Sequence, residues 1–86
     1  MNDEQTMNAS PVPKKNILTK TVVFGEALLE TTRGRKITRL EWSSNDEYGF
    51  LDNGQLMIHT KGSTHVWLVT DGDILATDWY LLPLQN

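Results

Sequence analysis

Apolar residues recur at helical spacing in one stretch of the chain and alternate with polar ones in several others. Between Phe24 and Arg33, the residues Phe24, Ala27, Leu28 and Thr31 fall on one stripe, which predicts an amphipathic helix. Gly34 is placed to end that helix in the left-handed conformation, whereas Val23 before it is a poor N-cap. Upstream, Ile17, Leu18, Val22 and Val23 interleave with threonine and make 16–23 β-type. Lys36–Leu40 alternates as a short strand. Two further β-type runs, Glu47–Asp52 and Gln55–Thr60, flank Asn53-Gly54, the pair that favours a two-residue hairpin turn with both residues at positive φ. That register sets Phe50 opposite Met57 and Tyr48 opposite His59. A second turn is expected at Lys61-Gly62-Ser63. Thr64–Val69 follows as a strand, with His65, Trp67 and Val69 on one face and Val66 and Leu68 on the other. Thr70 suits the N-cap of a short helix over Asp71–Thr77, and Asp71 and Asp73 suit its positive end. Trp79–Leu82 is the last strand, stopped by Pro83. The expected fold class is α+β: a mostly antiparallel sheet, one amphipathic helix near the start and a short helix before the last strand.

The length, 86 residues at 9.8 kDa, fits one domain. Residues 1–15 hold two prolines, a Lys14-Lys15 pair and little to bury, so they read as a flexible tail; residues 16–86 form the domain. The tail's charges cancel, so the net −3 belongs to the domain, and with a pI near 5.2 it argues against duplex nucleic acid or an anionic membrane as partner. No apolar run approaches the ~20 residues of a membrane span, and Met1–Ser10 is too polar for a signal peptide. The absence of cysteine excludes disulfides and thiolate zinc sites and points to a reducing cytosol. Domains this small are marginal alone, which makes a homo-oligomer the expectation.

No catalytic constellation emerges, and neither a metal nor a cofactor is expected. His59 and His65 lie on adjacent predicted strands without a third ligand at recognisable spacing. No serine sits in a nucleophile elbow, and the glycines are too scattered to cradle a phosphate. Asp71 and Asp73 lack the later bidentate carboxylate of a calcium loop. Two features stand out. Arg33, Arg35, Lys36 and Arg39 gather half of the chain's eight basic residues, and Trp42, Ser43, Ser44 and Asn45 follow. Such a segment grips anions and stacks bases, or it is a solvated helix end from which only Trp42 packs inward. The second feature is three tryptophans in so short a chain. Trp79 is the choice for the core. Trp42 and Trp67 are candidates for a ligand wall or a subunit interface.

In order along the chain, Phe24-Gly25-Glu26-Ala27-Leu28, Arg33-Gly34-Arg35-Lys36-Ile37 and Arg39-Leu40-Glu41-Trp42 resemble one family's opening. Trp67, Thr70 and Asp73-Ile74-Leu75-Ala76-Thr77-Asp78-Trp79 resemble its ending. The family is the phage-encoded Thoeris anti-defense group, second type, small sponge proteins that inhibit bacterial immune signalling, and the resemblance runs from Phe24 to about Leu82. It implies sequestration, without cleavage, of a cyclic ADP-ribose-type or cyclic oligonucleotide signal in the host cytoplasm. It also implies a homo-oligomer, often a tetramer, with pockets between subunits. Carried over by motif, Trp42 and Trp67 would stack on a base, Arg39 would contact phosphate and Asp73 would fix a ribose or base edge. Thr70 and Asn45 join them by adjacency. The chain departs from the pattern in placing Glu41 where the family has glycine, in a short stretch between hairpin and Trp67, and in its fifteen-residue tail. From the residues alone, two other readings stay open: an oligomeric protein-interaction module, and a binder of single-stranded nucleic acid.

Overall fold

The computed structural model describes residues 20–42 and 46–84. In chain order the elements are helix α1 (Phe24–Thr31), strands β1 (Ile37–Arg39), β2 (Tyr48–Asp52), β3 (Gln55–Thr60) and β4 (Ser63–Val66), helix α2 (Asp71–Leu75) and strand β5 (Trp79–Leu81). The strands form one antiparallel sheet in the order β4-β3-β2-β1-β5, so the last strand crosses over to pair with the first. The architecture is the α+β arrangement that the pattern predicts.

Local chemistry accounts for most boundaries. Phe24, Ala27 and Thr31 are the buried stripe of α1, and no side chain caps its N-terminus at Val23. The helix stops two residues before Arg33. The Gly34 N–H turns back to the Thr31 carbonyl and the Arg35 N–H to the Glu30 carbonyl, with Gly34 at φ 88°. That pair of bonds is a Schellman closure, which glycine makes without Cβ strain. At the β2–β3 turn Asn53 and Gly54 both take positive φ, at 52° and 80°. The expected pairs Tyr48↔His59 and Phe50↔Met57 form. Lys61 and Gly62 repeat the same left-handed pair between β3 and β4. The chain leaves the sheet after Val66, earlier than the strand expected to Val69, because β3 runs out of partners. The Trp67 N–H still reaches the Leu56 carbonyl at 3.1 Å, and only Gln55 remains before the hairpin turn. Helix α2 ends at Leu75 rather than Thr77, where Ala76 turns extended. Half of the β-type expectation over 16–23, residues 16–19, falls outside the described residues. Within them Val22 makes only an isolated bridge to Trp79. The proposed tail, 1–15, lies outside the described residues altogether.

Alternation along the strands divides the sheet into two faces. Ile37, Gly49 and Ile58 point to the helix side, where Phe24, Ala27, Ile37, Trp67 and Trp79 make the core. Trp42 packs against that cluster, and the four large rings meet mostly edge to face. Phe24 and Trp67 are 5.9 Å apart at 87°, and Trp42 and Trp79 are 5.3 Å apart at 81°. Each such pair contributes about 0.5–1.5 kcal/mol beyond its buried area. On the other face Tyr48 stacks on His59 at 5.1 Å, with Phe50 beside it at 5.8 Å.

Candidate functional site

Five of the six residues singled out in the sequence come together at the edge of the tryptophan cluster; the sixth, Asn45, lies outside the described residues. The loop from Trp67 into α2 does the gathering. Asp73 and Thr70 form a reciprocal capping box: the Asp73 N–H donates to Thr70 Oγ1 at 3.2 Å, and the Thr70 N–H donates to Asp73 Oδ2 at 3.0 Å. The same carboxylate oxygen accepts from Trp67 Nε1 at 3.3 Å, and the Asp73 carbonyl accepts from Trp79 Nε1 at 3.0 Å. One short helix thus holds two indoles by their only polar atoms, and Asp73 is itself buried.

Trp67 is a core residue, 6% exposed, although its sequence context makes it a candidate wall. Its ring lies directly on Gly49 of β2; a Cβ there would overlap Trp67 Cζ3 and come within 2.7 Å of Cε3. Trp79, expected in the core, is fully buried, and Trp42 is half-buried.

The basic segment disperses. Arg33 pairs with Glu30 at 2.8 Å, Arg35 donates to the Leu82 carbonyl at 2.8 Å, and the Lys36 ammonium sits 4.7 Å over Tyr48 on the other sheet face. Arg39 turns to the helix side. Its Nε donates to Asp78 Oδ1 at 2.8 Å and its Nη2 to Glu41 Oε1 at 3.0 Å, while Nη1 lies 3.9 Å from Asp73 Oδ1. The guanidinium also covers Trp79, 5.7 Å from its ring. Asp78 Oδ2 accepts the Glu41 N–H as well, at 2.8 Å. Burial alone would push the Asp78 carboxyl up, but the Arg39 hydrogen bond, the Glu41 amide and the Arg39 charge outweigh it and hold Asp78 below its ordinary value. Glu41 is therefore one of three carboxylates around Arg39.

Beside this network opens a cleft of about 370 Å³. Trp42, Trp67, Thr70 and Asp73 line it, together with Glu47, Ile58, Thr60 and His65 from β2, β3 and β4 or their approaches. Glu47 is fixed at both ends: its carbonyl accepts from Thr38 Oγ1 at 2.7 Å and its Oε2 from Thr60 Oγ1 at 3.0 Å. The sequence reasoning missed Glu47, Thr60 and His65 as cleft residues, although the Asn53-Gly54 register carries the signal. Continued one residue past Tyr48↔His59, it sets Glu47 opposite Thr60 on the face of Gly49 and Ile58. Arg39 does not line the cleft; it reaches Asp73 from outside it. A larger groove of about 520 Å³ between α1 and β5 contains none of the six residues and no aromatic ring. A cleft with an indole wall, two carboxylates and hydroxyls can hold a flat ring and accept hydrogen bonds from it.

Residues 22–82, from the Val22 bridge to one residue past β5, match the Tad2-like family, whose domain is described as Thoeris anti-defense 2-like. The chain belongs to this family. Membership assigns it a phage Thoeris anti-defense role, and the matched span takes in every residue of the Arg39 network and of the cleft. No curated protein matches the chain. No helix among the described residues is long and apolar enough to cross a membrane.

Proposed function

We propose that this Tad2-like chain acts as a sponge in the host cytoplasm: it binds a cyclic ADP-ribose-type or cyclic oligonucleotide immune signal and sequesters it without cleaving it. The observation that carries the reading is the cleft itself, with a half-buried indole at its wall and anchored polar groups around it, inside the span matched to an anti-defense family. Trp42 is the stacking residue, Trp67 backs it from the core, and Asp73, Thr70 and Asn45 supply polar contacts. Arg39 serves the site by holding Asp73, Asp78 and Glu41 in place. The working unit is a homo-oligomer, with a tetramer as the family's expectation. Val66 and Leu68 border the cleft 48% and 81% exposed, apolar surface that a second copy would cover.

Native mass spectrometry of the protein with cyclic ADP-ribose isomers and cyclic di- and trinucleotides tests this. The expected result is a defined oligomer that takes up one panel member and releases it chemically intact on heating. New products in the released fraction would refute sequestration. The same exposed Val66 and Leu68 favour a second reading, an oligomeric protein-interaction module. A clean oligomer with no mass shift across the panel would select it.

A further inference from the structure

The charges around the cleft say which part of a nucleotide it takes. Its ionisable lining is Glu47, Asp73 and His65, with no lysine or arginine among the described residues. Arg39, the nearest guanidinium in the network, faces Asp78, Glu41 and Asp73, so its charge is already surrounded by three carboxylates. A phosphate placed in the cleft would meet two carboxylates of like charge, and the Arg39 cation is committed to carboxylates of its own. A nucleobase would meet acceptors and an indole.

We propose that the cleft is a nucleoside half-site in which the Glu47 carboxylate accepts a hydrogen bond from the exocyclic amine of a stacked base, while the phosphates lie outside it. The inference rests on the sponge reading and replaces the expected Arg39–phosphate contact with a different recognition chemistry. Glu47 is suited to the task. Thr60 and Thr38 hold its side chain and its backbone, so the carboxylate is oriented before a ligand arrives, and a carboxylate oxygen accepts more than one hydrogen bond. The indole of Trp42, which lines the same cleft, supplies the stacking surface. The remaining charge of a cyclic dinucleotide or ADP-ribose would then be met by solvent or by a neighbouring copy.

The test is a double-mutant cycle by titration calorimetry on the full chain. Adenosine and purine riboside, which lacks the 6-amino group, are each titrated into the wild-type protein and into Glu47→Gln, with AMP and cyclic ADP-ribose alongside. Wild-type protein should bind adenosine about five- to tenfold tighter than purine riboside, and Glu47→Gln, which exchanges a charged acceptor for a neutral amide, should shrink that difference. The same substitution should weaken adenosine, AMP and cyclic ADP-ribose by similar factors, because none has its phosphate at Glu47. Tighter AMP or cyclic ADP-ribose binding to Glu47→Gln, with adenosine unchanged, would overturn the proposal by putting phosphate in the cleft. An undiminished preference for adenosine in Glu47→Gln would also overturn it. Failure of the folded wild-type protein to bind any of these ligands or the cyclic di- and trinucleotides would instead remove the sponge reading beneath it. Circular dichroism of Glu47→Gln, and a Thr60→Val variant that frees the carboxylate without removing it, separate recognition from folding. Thr60→Val should reduce adenosine affinity less than Glu47→Gln does, and a larger loss would count against direct recognition by Glu47.

Discussion

Replacing Gly49 by alanine adds one methyl group at the centre of the sheet, and the structure says what it meets. The new Cβ would overlap Trp67 Cζ3 and come within 2.7 Å of Cε3 and 3.0 Å of Cη2. Carbon atoms in ordinary contact sit ~3.5–4.0 Å apart, so the indole or the strand must yield by about 1 Å. The indole is poorly placed to do so. Asp73 holds its nitrogen at 3.3 Å, and Phe24, Trp42 and Trp79 stand around it at 5.9, 6.1 and 5.6 Å. Overpacking a filled core costs about 1–3 kcal/mol, against a gain of about 0.4–1 kcal/mol from a less flexible unfolded chain. The net loss should be about 1–2 kcal/mol, a drop of roughly 4–16 °C in Tm for a domain of this size. Urea unfolding followed by far-UV circular dichroism measures it. Trp67→Leu lowers stability by itself, but in that background Gly49→Ala should be neutral or stabilising, a coupling of at least about 1 kcal/mol. An equal loss in both backgrounds would show that the ring contact is not the cause and would refute the reasoning.

On the proposed sponge reading, Trp42→Ala should weaken nucleotide binding by about 1–3 kcal/mol, the scale of one base–aromatic stack, and unchanged calorimetric affinity in a folded variant would remove Trp42 from the site. Thr70→Ala should lose about 1 kcal/mol in urea unfolding, because it deletes one half of the capping box around Asp73. Asp78→Asn should cost about 1–3 kcal/mol near neutral pH, since it removes a hydrogen-bonded charge from Arg39. Its pH dependence has a defined sign. Asp78 is held below 3.8, so its contribution is present above that value and is lost as pH falls through the lower folded one. Between about pH 5 and pH 3 the wild-type urea midpoint should therefore fall more than that of Asp78→Asn; parallel falls would contradict the Arg39–Asp78 account.

Features whose physics is confined to a few neighbouring residues were legible in the sequence alone. Asn53-Gly54 set the hairpin register because both residues tolerate positive φ, and that register placed Tyr48 against His59. Gly34 closed α1 for the same reason. Thr70 announced the start of α2, and apolar spacing gave the buried stripe of α1. The motif positions from Phe24 to Leu82 were likewise enough to indicate the family. What the sequence could not decide depends on residues far apart in the chain. The basic run read either as an anion-binding segment or as a solvated helix end, and Arg35 and Lys36 turn to other partners. Arg39 is drawn to Asp78, thirty-nine positions away, by the β1–β5 pairing. Trp67 looked like a wall residue because its neighbours are exposed, and only the packing of β2 against the α2 loop put its ring on Gly49. Glu47 carried no signal of its own, and it became a cleft residue when two hairpins and a capped helix turned toward the same space. Charge neutralisation, close packing and a concave surface are properties of atoms brought together by the sheet, so only the tertiary structure determined them.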